Sequence, residues 1–242
     1  MPNSIFVHNR YQNSFPYVHH CPLDVPEKIW HELVRVRGSS SQSLKKPSDL
    51  TIITFNNTKE KMLLEQRLDA SNTEYVLLGK EVEKWTNPHK IELLKDYLPF
   101  VKTEFVLVLD CCDVVISSDL SNIINDFKTF NCNVLYNASS VIYPAEKHYS
   151  AIEETICDDF FNHLNSGCFI GYKDYCLDLY TEAHKFEDEI TKEHHYSDQI
   201  RLKALYVKRY PEIKIDSKSK IFQLFHWKNM KSEDFIQIHT KI

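Results

Sequence analysis

The sequence predicts an α/β domain with a mostly parallel central sheet flanked by helices. Three observations carry this. The run at 51–55 (TIITF) is short, mostly apolar and β-branched, and that at 105–109 (FVLVL) is wholly apolar, as buried strands are. Segments with apolar side chains three and four residues apart stand between such runs, as at Ile91, Leu94 and Leu98. The alternation continues through most of the chain, and strands alternating with helices form a sheet covered on both sides.

The elements follow in order. Residues 1–49 read as an N-terminal extension and linker, rich in aromatics and histidine up to about residue 37. Within it, 26–36 has the look of a short helix with Pro26 in its first turn, and 38–49 (GSSSQSLKKPSD) reads as a linker or mobile loop. Residues 50–242 form the main domain. Strands are expected at 51–55, 75–78, 105–109, 133–136, 168–172, 213–215 and 221–225. Helices are expected at 59–68, 89–98, 119–130 with Ser118 as cap, 175–186 and 197–206.

A chain of 242 residues, 43% hydrophobic and 26% charged, can bury a sizeable core as one large domain, or one domain with an appendage. Its net charge of −5 gives no electrostatic footprint for nonspecific nucleic-acid binding. Only 4 glycines are present, none spaced for a glycine-rich phosphate loop, so a bound nucleotide must be held another way. The 7 cysteines are scattered without a CxxC pair. With no signal-peptide pattern at 1–10 and no apolar run of membrane-spanning length, they point to a reducing, cytoplasmic setting.

Four segments have residues suited to chemistry. After the 105–109 strand come Asp110 and Asp113. Ligands in α/β sheets lie beyond the carboxyl ends of strands, where two hard oxygens suit Mg²⁺ or Mn²⁺ with nucleotide phosphates; the alternative is a pair of solvated turn residues or caps. Asn165-Ser166-Gly167 offers neutral donors and acceptors for sugar hydroxyls, with Gly167 allowing close backbone approach, or forms an ordinary turn. Asp198 is either a carboxylate near a reacting carbon or, with Ser197, a helix cap. The neighbouring His194 and His195 do not converge on one face, which argues against a metal pair. His226 follows a strand and offers an imidazole to the same metal, while Lys228 and Lys231 offer charge to a diphosphate; a surface loop is the alternative.

Taken in order, these segments resemble the glycosyltransferase domain of procollagen lysyl hydroxylases and its GT-A relatives, over about residues 50–231. The strand and DxxD at 107–115 are similar to that domain's metal motif, and 164–172 (LNSGCFIGY) to its acceptor-side motif. Ser197-Asp198-Gln199 with 215–223 (IDSKSKIFQ) is similar to its DDQ and IFQ segments. The leader before Leu50 has no counterpart in the resemblance.

The resemblance implies a GT-A fold, a UDP-sugar donor, a peptide or glycan acceptor, and Mn²⁺ or Mg²⁺ held by Asp110, Asp113 and His226. It implies donor contacts from Phe55, Asn57, Trp85, Lys90, Cys112 and Lys231, with Cys112 standing where the family tends to place an aromatic. Asn165, Ser166, Gly167 and Gln199 are implied as substrate-binding, and Asp198 as the carboxylate nearest the anomeric carbon. No hydroxylase domain follows in this sequence. Two other readings are a haloacid-dehalogenase-like phosphatase, which needs its aspartates two apart rather than three, and a catalytically inactive sugar-nucleotide-binding protein.

Overall fold

The computed structural model describes residues 5–10, 12–21, 44–225 and 236–240. The strands are β1 (Ile5–Asn9), β2 (Val18–His20), β3 (Leu50–Phe55), β4 (Val76–Leu78), β5 (Phe105–Leu109), β6 (Val114–Ile116), β7 (Val134–Ser139), β8 (His163–Tyr172), β9 (Ile213–Ile215), β10 (Phe222–Leu224) and β11 (Ile236–Thr240). The helices are α1 (Leu63–Ala70), α2 (His89–Tyr97), α3 (Ile123–Lys128), α4 (His148–Ile156), α5 (Lys173–Lys185), α6 (Glu189–Glu193) and α7 (Asp198–Arg209). None is long and apolar enough to cross a membrane among the described residues.

The central sheet runs β4-β3-β5-β8-β7-β9. Its pairings are parallel except those of β8, which is antiparallel to β5 and β7. A small sheet runs β10-β2-β6, and β1 pairs with β11. Alternate residues of β5 enter two cores, because side chains alternate across a strand. Val106 and Val108 pack with Leu94 of α2, Leu179 of α5 and Leu205 of α7. Phe105, Leu107 and Leu109 pack with Leu64 of α1, Phe127 of α3 and the small sheet's Val18 and Ile116. Burial of all five β5 residues on both faces explains the continuous apolar run.

Several elements differ from expectation for local reasons. The first helix starts at Leu63, not residue 59. The Asn56 side chain accepts the Thr58 N–H at 2.8 Å in a turn, and Glu65 accepts the Met62 N–H at 2.9 Å, so the helix begins late. Ser118 caps nothing, and α3 begins only at Ile123. Asp119 instead accepts the Ser121 N–H at 2.8 Å, a side-chain turn that competes with helix. The expected strand at 168–172 runs back to His163, so Asn165-Ser166-Gly167 is strand rather than turn. The described end of the 38–49 linker is packed, since Leu44 lies in the core with Leu50 and Leu64. The helix expected at 26–36 lies outside the described residues. Strands β1, β2, β6 and β11 and helices α4 and α6 have no counterpart among the expected elements.

Candidate active site

The site forms where the chain leaves β5 and turns through Asp110 to Asp113 into β6. Three backbone hydrogen bonds fix that turn. Asp110 N donates to Gly167 O at 2.8 Å, Leu64 N to Cys111 O at 3.0 Å, and Cys21 N to Asp113 O at 2.8 Å. The two aspartates thereby face one cleft of about 560 Å³ at the carboxyl ends of β3 and β5. The same cleft is lined by Phe55, Asn57, Trp85, Lys90 and Cys112 on one side and by Asn165, Ser166, Gly167, Asp198 and Gln199 on the other. The structure therefore brings together every expected site residue that it describes. His226, Lys228 and Lys231 lie outside the described residues.

The sequence reading missed His20. In the three-residue strand β2, His19 and His20 point to opposite sides. His19 Nε2 meets Ser117 Oγ at 2.8 Å, whereas His20 Nε2 lies 3.2 Å from Asp113 Oδ2. His20 Nδ1 lies 3.1 Å from Asn165 Oδ1. That oxygen also accepts the Gly167 N–H at 3.1 Å, and the Asn137 amide nitrogen lies 3.3 Å from the same Nδ1. A Cβ at Gly167 would stand 2.4 Å from His20 Cε1 and 2.9 Å from Asp110 Oδ2. The close approach anticipated at Gly167 is thus made by the protein's own imidazole and carboxylate. A strand this short gives little periodic signal, which is why His20 was not legible.

Charge in the cleft is dominated by carboxylates. Lys90 Nζ sits 2.5 Å from Asp110 Oδ1. Burial disfavours its ammonium, but Asp110 and then Asp198 outweigh that and raise its pKa, so Lys90 stays charged. Burial also raises the Asp110 pKa, opposed by Lys90. Asp113 is held below the usual carboxylate range: burial works against this, and the His20 imidazole more than compensates. The same partner raises the pKa of His20 against its own burial.

The residues fit a divalent cation. Ligand atoms of His20, Asp110 and Asp113 all lie within 4.8 Å of one another. Asp113 Oδ1 is buried with no hydrogen-bond partner among the described residues. A buried carboxylate oxygen left unpaired is costly unless a cation satisfies it. Two carboxylates and an imidazole are a donor set for Mn²⁺ or Mg²⁺.

Neighbouring side chains brace the walls. Gln199 accepts the Ser166 N–H at 3.0 Å through Oε1 and donates to Tyr143 O at 2.5 Å through Nε2. It therefore ties β8 to the loop after β7. Asn57 Nδ2 donates to Val82 O at 3.0 Å. Trp85 packs near Phe55 with ring centroids 6.1 Å apart. Gly79, at φ 89, leaves room for the Trp85 ring, which a Cβ there would meet at 2.9 Å.

An α/β sheet with acidic residues at the carboxyl end of its central strand, facing a polar cleft, is the arrangement of a GT-A domain. The chain belongs to the PLOD GT domain family, GT denoting glycosyltransferase, whose family model matches residues 49–238. It is also 25% identical over 155 residues to a procollagen-lysine,2-oxoglutarate 5-dioxygenase of Drosophila melanogaster. That alignment covers 61% of this chain and 20% of the relative, so the chain spans only a fraction of the relative's length. Neither comparison lends support to the phosphatase reading or to the inactive binding protein.

Proposed function

We propose that this chain is a metal-dependent hexosyltransferase that moves a hexose from a UDP-sugar to a hydroxyl of a peptide or glycan. The observation that carries this reading is the meeting of Asp110, Asp113, Lys90 and Asp198 in one cleft at the strand ends of a GT-A fold. The scattered free thiols favour a reducing, cytoplasmic setting for the reaction.

Asp110 and Asp113 would hold the cation, which when bound would supply Lewis-acid stabilisation to the departing diphosphate. Lys90 adds a fixed positive charge beside Asp110, pre-oriented by that contact. Trp85 and Phe55 form the apolar wall against which a base can lie. The polar strand segment Asn165-Ser166-Gly167, locked by Gln199, faces the sugar. Asp198 opens α7 and is almost fully buried at the cleft. In an inverting transfer it accepts the acceptor's hydroxyl proton; in a retaining transfer it positions and stabilises the sugar.

Calorimetric titration of UDP, GDP and dTDP with Mn²⁺ tests the donor assignment. UDP is expected to bind and the other two to bind at least tenfold more weakly. Preferred binding of GDP or dTDP refutes the donor half of the proposal.

A further inference from the structure

We infer that His20, carried by an N-terminal strand that precedes the family-matched residues, is a protein ligand of the catalytic metal. The inference rests on the metal-dependent reading above and adds to it a residue from outside residues 49–238.

The placement of β2 is structural rather than incidental. Its three residues pair parallel with β10 and antiparallel with β6, so the strand sits in the middle of the small sheet. Both its neighbours adjoin the site, since β6 follows Asp113 directly and Leu224 of β10 lines the cleft. Val18 is fully buried, and Cys21 N donates to Asp113 O. The segment is therefore tied by backbone to the residue that carries the second carboxylate.

The ring itself is oriented as metal-binding histidines are. Nδ1 is held between Asn165 Oδ1 at 3.1 Å and the Asn137 amide nitrogen at 3.3 Å, Nε2 faces Asp113 Oδ2 at 3.2 Å, and ligand atoms of His20, Asp110 and Asp113 lie within 4.8 Å of one another. Hydrogen bonding of the far ring nitrogen orients the imidazole of a metal-binding histidine. Nε2–H can donate to Asp113 Oδ2, and a divalent cation would take the place of that proton, since a ligating imidazole is neutral. The unpaired Asp113 Oδ1 beside it needs the same cation. Gly167 makes the geometry possible, because any side chain there would occupy the position of the ring. Asn165 is accordingly a positioning residue for His20.

The test uses the full chain loaded with Mn²⁺ and reads bound nitrogen by electron spin-echo modulation from ¹⁴N. His226→Ala removes the other candidate imidazole, and the ¹⁴N signal is expected to persist in that variant. His20→Asn keeps a polar group facing Asn165 but deletes the nitrogen facing Asp113. It is expected to weaken Mn²⁺ binding at least tenfold in calorimetry while the melting transition stays cooperative. Loss of the ¹⁴N signal in His226→Ala overturns the inference, and this arm requires no change at His20. So does unaltered Mn²⁺ affinity in His20→Asn. If the unmodified chain binds no Mn²⁺, the metal-dependent reading falls together with this inference; if it binds and only the His20 results fail, that reading stands without His20.

Discussion

The Lys90 ammonium lies 2.5 Å from a carboxylate oxygen of Asp110, although one is on α2 and the other just beyond β5. The helix thus supplies the fixed positive charge that a cleft with three carboxylates needs. Lys90→Met removes that charge and leaves Asp110 and Asp198 closer to unbalanced. Turnover is expected to fall by roughly a hundredfold, the scale of losing one preorganised electrostatic group. Mn²⁺ affinity is expected to hold or rise, because the cation no longer competes with an ammonium. Calorimetry alongside UDP-release kinetics separates the two effects; a parallel loss of both contradicts the role assigned to Lys90.

Asn165 is expected to act through His20. Asn165→Ala deletes the oxygen that lies 3.1 Å from Nδ1. Mn²⁺ affinity is expected to fall by about 10–100-fold, the usual cost of losing a partner that orients a metal ligand. Asn165→Asp, which retains an acceptor, is expected to recover most of it. Unchanged affinity in the alanine variant contradicts the positioning role.

Away from the cleft, the protein's stability depends on a buried charge cluster. Lys203 Nζ lies 2.9 Å from Glu146 Oε1 and 3.2 Å from Glu153 Oε2, and all three side chains are almost wholly inaccessible. Lys203→Met leaves two buried carboxylates without their cation. A loss of about 3–5 kcal/mol is expected, as for breaking one side of a buried ion pair, and denaturant unfolding measures it.

The same cluster sets a pH dependence. Burial alone would raise the Glu146 pKa, but hydrogen bonds from Lys203 and Ser150 hold it below the usual carboxylate range. A depressed acid contributes stability above its unfolded pKa of about 4.3 and loses it as pH falls through the folded value. The melting temperature is expected to drop below about pH 4, with a shallower drop in Glu146→Gln. An identical acid profile in the two proteins contradicts the assignment.

The sheet was legible because β5 is buried on both faces and apolar at every position, and β3 is mostly apolar and β-branched, its buried Thr54 hydroxyl donating to Leu109 O. Asp110 and Asp113 were legible because they follow such a run. The starts of α1 and α3 were not, since the Asn56 and Asp119 side-chain turns compete with helix in ways that periodicity does not show. His20 was hidden for a different reason. Its strand is three residues long, and its value comes from Asp113 and Asn165, which lie 93 and 145 residues away. Gln199 was expected on the substrate, and it is held by Ser166 and the Tyr143 carbonyl, partners that only the folded chain brings near.

Asp110 and Asp113 are the centre of the account. Each change to Asn keeps size and polarity but removes the charge proposed to hold a cation. UDP release from UDP-glucose, UDP-galactose and the UDP-N-acetyl sugars, with Mn²⁺ and with excess chelator, tests it most directly. The unmodified chain is expected to release UDP from at least one donor with Mn²⁺ and not with chelator. Asp110→Asn and Asp113→Asn should each fall by a hundredfold or more, since a metal contributes several kcal/mol at about 1.36 kcal/mol per tenfold in rate, while melting normally. Full activity in either variant at limiting Mn²⁺, or turnover that chelator leaves untouched, contradicts the account.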